Sequence, residues 1–73
     1  MTLYHFHMID PTGARHDLKS LRLADIGAVW REIAAVAAEQ DRGAQIRVTN
    51  EAGGIVVLVG VSTARSLQAR RAA

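Results

Sequence analysis

The run Tyr4-His5-Phe6-His7-Met8-Ile9-Asp10 alternates large apolar side chains with histidines and then breaks at Pro11-Thr12-Gly13. Alternation with a period of two, ended by turn residues, marks a half-buried strand entering a hairpin. The run assigns Tyr4, Phe6 and Met8 to a core face and His5 and His7 to the opposite one. A chain that begins this way must build a sheet and find something apolar to lay against one side of it.

The return strand is expected over 14–19, with proline setting φ early in the turn and Gly13 taking the left-handed position. A three-residue loop sets Asp10 opposite Ala14, Met8 opposite His16, His7 opposite Asp17 and Phe6 opposite Leu18. Leu18 then joins the core face. A loop one residue shorter would change every partner, and His7 would no longer oppose Asp17.

From about Ala24 to Gln40 the period becomes helical, with Ile26, Val29, Trp30, Ile33, Val36 and Ala37 three and four residues apart. Asp25 stands where an acidic side chain caps a helix start, and Asp41-Arg42-Gly43 supplies a stop with Gly43 as a left-handed cap. Ala28, Ala35 and Ala38 on the far side read as helix propensity.

A second hairpin is expected from Gln45–Asn50 and 55–61, joined by Glu51-Ala52-Gly53-Gly54. Ile46 and Val48 alternate with Arg47 and Thr49, one buried face and one wet. The following run, Ile55-Val56-Val57-Leu58-Val59-Gly60-Val61, does not alternate. A strand apolar on both faces is central in its sheet or covered on both sides, yet one helix covers only one face. The second face is therefore expected to meet another subunit or the folded-back tail from Ser62 to Ala73. Burying about 400 Å² of it, at about 25 cal/mol per Å², is worth on the order of 10 kcal/mol before entropy.

The chain has 73 residues, 49% of them apolar, and no cysteine. A single core of this size leaves a thin stability margin that a partner subunit would widen. No apolar run approaches the about 20 residues of a membrane-crossing helix. Met1 runs directly into strand-like residues, so the expectation is a cytoplasmic protein with no membrane association. The net charge of +2 is uneven: 62–73 hold Arg65, Arg70 and Arg71 without an acid, while 1–61 hold six basic and seven acidic groups. The expected organisation is a domain over 1–61 and a basic tail over 62–73, with Ser62 placed to cap a short helix.

The opening Tyr4-x-Phe6-His7-x-x-Asp10, the helix after Asp25 and the segment Ile46-x-Val48-Thr49-Asn50-Glu51-Ala52-Gly53 together resemble a family of short bacterial proteins. That domain of unknown function opens with a Tyr-x-Phe-His-Leu-x-Asp strand and closes with a Val-x-Asp-Glu-x-Gly hairpin. The likeness covers about 3–61, with Met8 where the family has leucine and Asn50 where it often has aspartate. It implies a β-β-α-β-β fold and carries no activity, so no catalytic residue is transferred.

His5, His7 and His16 with Asp10 and Asp17 raise the question of a metal. Histidines two apart share a strand face, but His16 points to the other face, which leaves two histidines and one carboxylate without a metal motif. A structural pair between His7 and Asp17 explains the same residues. Nucleophilic catalysis has no cysteine, and Ser20, Ser62 and Ser66 lie outside a nucleophile elbow. Gly53-Gly54 precedes a strand and reads as a turn. Nucleic acid would use Arg15, Lys19 and Arg47 with His5 and His7, aided by Arg65, Arg70 and Arg71. Tyr4, Phe6 and Trp30 all face the core, which leaves no stacking platform.

The sequence thus predicts an α+β fold, β-β-α-β-β, with one amphipathic helix on a four-stranded, mainly antiparallel sheet. The predicted role is a non-enzymatic interaction or regulatory module, a homodimer without cofactor or bound metal that meets a further protein partner. Its candidate surface is His5, His7, Asp17, Arg47, Val56, Leu58, Arg65, Arg70 and Arg71. Nucleic-acid binding through the arginines is the first alternative, and metal binding through the hairpin histidines the second.

Overall fold

The computed structural model describes residues 1–72 of the chain and the side chains of residues 1–67. Its elements follow the order β1 (Thr2–Ile9), β2 (Arg15–Leu23), α1 (Ile26–Ala37), β3 (Gln45–Asn50), β4 (Ile55–Gly60) and α2 (Val61–Ala72). The strands form one antiparallel sheet in the order β2-β1-β3-β4. The fold is α+β with two helices.

Alternation builds the core. Phe6, Val48 and Val57 sit side by side across β1, β3 and β4, and Ile46 lies beside Met8 and Val59 in the next row. Phe6, Ile46 and Val48 are fully buried against Val29, Ile33, Val36 and Ala37 of α1. Trp30 packs against this cluster from one side, whereas Ile26, the first residue of the helix, lies outside it and is 49% exposed.

Both hairpins turn where the sequence places them. Gly13 and Gly53 have φ of 91° and 87°, the left-handed region that glycine reaches without a Cβ clash. β2 runs on to Leu23, past the expected end at Lys19, and contains a bulge. His7 still pairs with Asp17, but Phe6 pairs with Lys19 instead of Leu18. The extra residue changes the parity of the strand, so Lys19, Leu21 and Leu23 fall in line with the core-facing residues of β1. Lys19 therefore leaves the set of open-face cations and makes a salt bridge with Glu32 of α1.

α1 starts as expected: Asp25 has extended backbone and its carboxylate accepts the Ala28 N–H at 2.8 Å. Its end differs. Gly43 does not adopt a positive φ, and the C-cap is Ala38 in right-handed helical conformation. Arg65 of α2 explains this. Its guanidinium donates to the carbonyls of Ala37, Ala38 and Gln40, at and just past the helix end, at 2.9–3.1 Å.

β4 is an edge strand, so the expectation that it could be central is overturned. The tail does not cross its second face either. α2 packs against α1 and β4, and Val61 and Ala64 enter the same core as α1. Ser62 donates its hydroxyl to the Arg42 carbonyl at 3.1 Å, fastening the helix start to the α1–β3 loop. No helix among the described residues is long and apolar enough to cross a membrane.

Candidate interaction surface

Both helices contribute to the core on one side of the sheet, and the other side is open. The register orders that open face into cross-strand rows. One row runs Ser20, His5, Thr49, Ile55, the next Asp17, His7, Arg47, Leu58, and a third Arg15, Ile9, Gln45, Gly60. The face thus grades from polar at the β2 edge to apolar at the β4 edge.

The polar half is tied down by hydrogen bonds between strands. His5 Nδ1 lies 2.7 Å from Ser20 Oγ, and His7 Nδ1 lies 2.8 Å from Asp17 Oδ1. The bond from His7 holds the Asp17 carboxyl below its ordinary range, with Arg15 adding a weaker attraction at 3.8 Å. An ionised carboxylate only accepts, so His7 donates from Nδ1. The other ring nitrogen, Nε2, faces the Thr49 hydroxyl 3.3 Å away.

Asp17, His7 and Thr49 therefore form a carboxylate–imidazole–hydroxyl chain, the order in which the orienting group, the base and the nucleophile are arranged in acyl-transfer sites. Here the hydroxyl belongs to a residue only 8% exposed. Its position between His7 and the sheet suits a clamp joining β1, β2 and β3 better than attack on a substrate. Alternation places Thr49 on the open face, where it lies, but predicts it solvated. Its burial is a product of packing beside His7 and Arg47, which alternation alone does not report.

A shallow depression of about 190 Å³ at the bulge is lined by His5, His7, Asp17 and Ser20 together with Phe6, Leu18 and Lys19. No group of three or more His, Asp or Glu side chains among the described residues is arranged to hold a metal ion. His16 is engaged elsewhere, donating from Nε2 to Asp10 Oδ2 at 2.9 Å.

The apolar half has no such network. Ile55, Val56 and Leu58 are 60%, 37% and 53% exposed, while Val57 is buried on the helix side. A bulge opposite Thr49 sets Val56 outside the regular pairing. Arg47 lies half-buried between His7 and Leu58, and its Nε is buried without a hydrogen-bond partner.

Of the residues singled out by sequence, His5, His7, Asp17, Arg47, Val56 and Leu58 come together on or beside this face. Arg65 does not, because it is engaged at the end of α1. The side chains of Arg70 and Arg71 lie outside those described. Comparison with models of known protein families, with curated proteins and with solved structures finds no significant match. The resemblance to the Tyr-x-Phe-His-Leu-x-Asp family rests on the residues quoted for it.

Proposed function

We propose that this chain is a non-enzymatic interaction module that works as a homodimer, using the open sheet face and the β4 edge as its contact surface. The observation that carries the reading is the exposure of Ile55, Val56 and Leu58 on a strand without a charge, at the margin of a sheet whose other side already holds the whole core. Clustered apolar side chains of this kind are recognition surfaces more often than they are accidents of composition. The polar rows beside them form a rim able to orient a further protein partner through His5, His7 and Arg47. The setting this reading assumes is the cytoplasm of a bacterium.

Nucleic acid is the weaker reading. Lys19 and Arg65 are committed to Glu32 and to α1 carbonyls, and Asp17 places a negative charge among the remaining cations. Native mass spectrometry of the untagged protein at two ionic strengths tests the choice. The proposal expects a dimer of bare polypeptide that survives the higher salt. A monomer throughout contradicts it, and a copurifying oligonucleotide lost at higher salt would favour nucleic acid.

A further inference from the structure

We infer that two copies join edge to edge through β4, antiparallel about a two-fold axis at Leu58, to make one continuous eight-stranded sheet. This deepens the dimer reading above and rests on it.

The backbone supplies the first argument. In an antiparallel ladder, pairs that exchange both hydrogen bonds alternate with pairs that exchange none. Val61 donates its N–H to the Ala44 carbonyl at 2.9 Å, extending the β3–β4 register by one residue. Val59 and Val57 are then the β4 residues whose backbone groups meet β3, and Leu58 and Gly60 turn theirs toward the free edge. A two-fold axis at Leu58 sets its outward N–H and C=O against the same groups of a second copy. Val56 of each copy then stands opposite Gly60 of the other, and Val57 opposite Val59. An axis displaced toward the C-terminus would run the pairing into α2, and one displaced toward the N-terminus would run it into the bulge at Val56.

The contrast between the two edges supplies the second argument. Natural sheets guard exposed edges with charges, proline or bulges. β2 carries Arg15, Asp17, Lys19 and Arg22 along its nine residues. β4 carries no charge and no proline, and its bulge lies at the hairpin end, leaving Val57 to Gly60 regular.

Charge complementarity points the same way. The pairing opposes uncharged residues only. Within the sheet, Arg47 of each copy ends up three strand spacings from the other, roughly 14 Å at about 4.8 Å per spacing. That exceeds the Debye length of about 8 Å at physiological salt. Leu58 of both copies would lie side by side on the open face, with Ile55 and Val56 flanking them. Pairing along a six-residue edge with three exposed apolar side chains belongs to the small, weak class of interfaces, so the dimer should dissociate on dilution.

Amide hydrogen exchange on the wild-type protein tests the register. At a protomer concentration ten times the dimer dissociation constant, about one-fifth of the chains are monomeric, so the Leu58 amide should exchange about fivefold more slowly than in a dilute, monomeric sample, while amides of the Pro11-Thr12-Gly13 turn should not change. A dimer whose Leu58 amide exchanges at the monomer's rate overturns the edge pairing and leaves the dimer reading standing. A monomer at every concentration overturns both. Because the chain has no cysteine, Leu58→Cys gives a second readout: mild oxidation should yield a covalent dimer faster than for Thr12→Cys, and equal rates would contradict the axis.

Discussion

Asp10 and Asn50 close the two hairpins in the same way. Each sits at the last position before a turn, and its side-chain oxygen accepts the backbone N–H two and four residues on: Thr12 and Ala14 for Asp10, at 2.9 and 3.0 Å, and Ala52 and Gly54 for Asn50, at 3.0 and 2.9 Å. Each carbonyl accepts from the positive-φ glycine three residues on, Gly13 or Gly53. One chemical device is used twice, once charged and once neutral, and it holds the registers that place His7 opposite Asp17 and Arg47 opposite Leu58.

Removing the device should loosen one hairpin. Asn50→Ala leaves two turn amides without their acceptor and should lower stability by about 1–2 kcal/mol, read as the shift in urea midpoint. Asn50→Asp retains the acceptor and should have a much smaller effect. Equal losses in the two variants would mean that the side-chain oxygen does not hold the turn.

Gly53→Ala should cost about 1–2 kcal/mol, because a Cβ at φ 87° meets its own backbone although nothing else lies within 4 Å of it. Thermal melting of the variant measures the loss. An unchanged melting temperature would show that the turn relaxes to another conformation.

Acid should weaken the first hairpin before the second. Hydrogen bonds from the Thr12 hydroxyl, then His16, hold Asp10 well below the ordinary carboxylate range, and the bond from His7 lowers Asp17. A carboxylate whose folded pKa lies below its unfolded value of about 3.8 contributes stability that is complete above that value. The contribution disappears as pH falls from there through the folded pKa. Unfolding midpoints between pH 6 and pH 2 should therefore drop less steeply for Asp10→Asn than for wild type, and parallel curves would contradict the assignment.

Arg65→Met keeps an apolar stem but removes the three bonds to the carbonyls of Ala37, Ala38 and Gln40 at and past the end of α1, and should lower stability by about 1–3 kcal/mol. Hydrogen exchange should quicken at the end of α1 and in α2 together, since Arg65 joins them. A loss confined to α2 would mean that α1 ends without help from this side chain.

Much of this architecture is legible in the chain because it rests on local periodicity. The strand over 45–50 matches β3 in both bounds, and the helical spacing from Val29 to Ala37 reports which residues face the sheet. The bulge in β2 leaves a trace in the sequence: the apolar positions move from even at Leu18 to odd at Leu21 and Leu23, which a regular strand would split between its two faces. Arg65 and Thr49 left no trace. A cation one-third of the way into a basic tail reads as a surface charge until the fold places three carbonyls around it. Likewise, a threonine alternating with buried residues reads as solvated until an imidazole covers it. The candidate surface was readable in outline because Ile55 to Val59 breaks the alternation, but the position of β4 at the edge depends on strand order, which pairwise patterns leave open.

The most direct test of the account is sedimentation equilibrium of the wild-type chain over a dilution series, run beside Leu58→Asp. The account predicts a reversible monomer–dimer equilibrium for the wild type and a monomer for Leu58→Asp, with far-ultraviolet circular dichroism and melting of the dilute monomers closely alike, because Leu58 lies outside the core. A wild-type chain that sediments as a monomer at every concentration, or a Leu58→Asp variant that dimerises as tightly as the wild type, would contradict it.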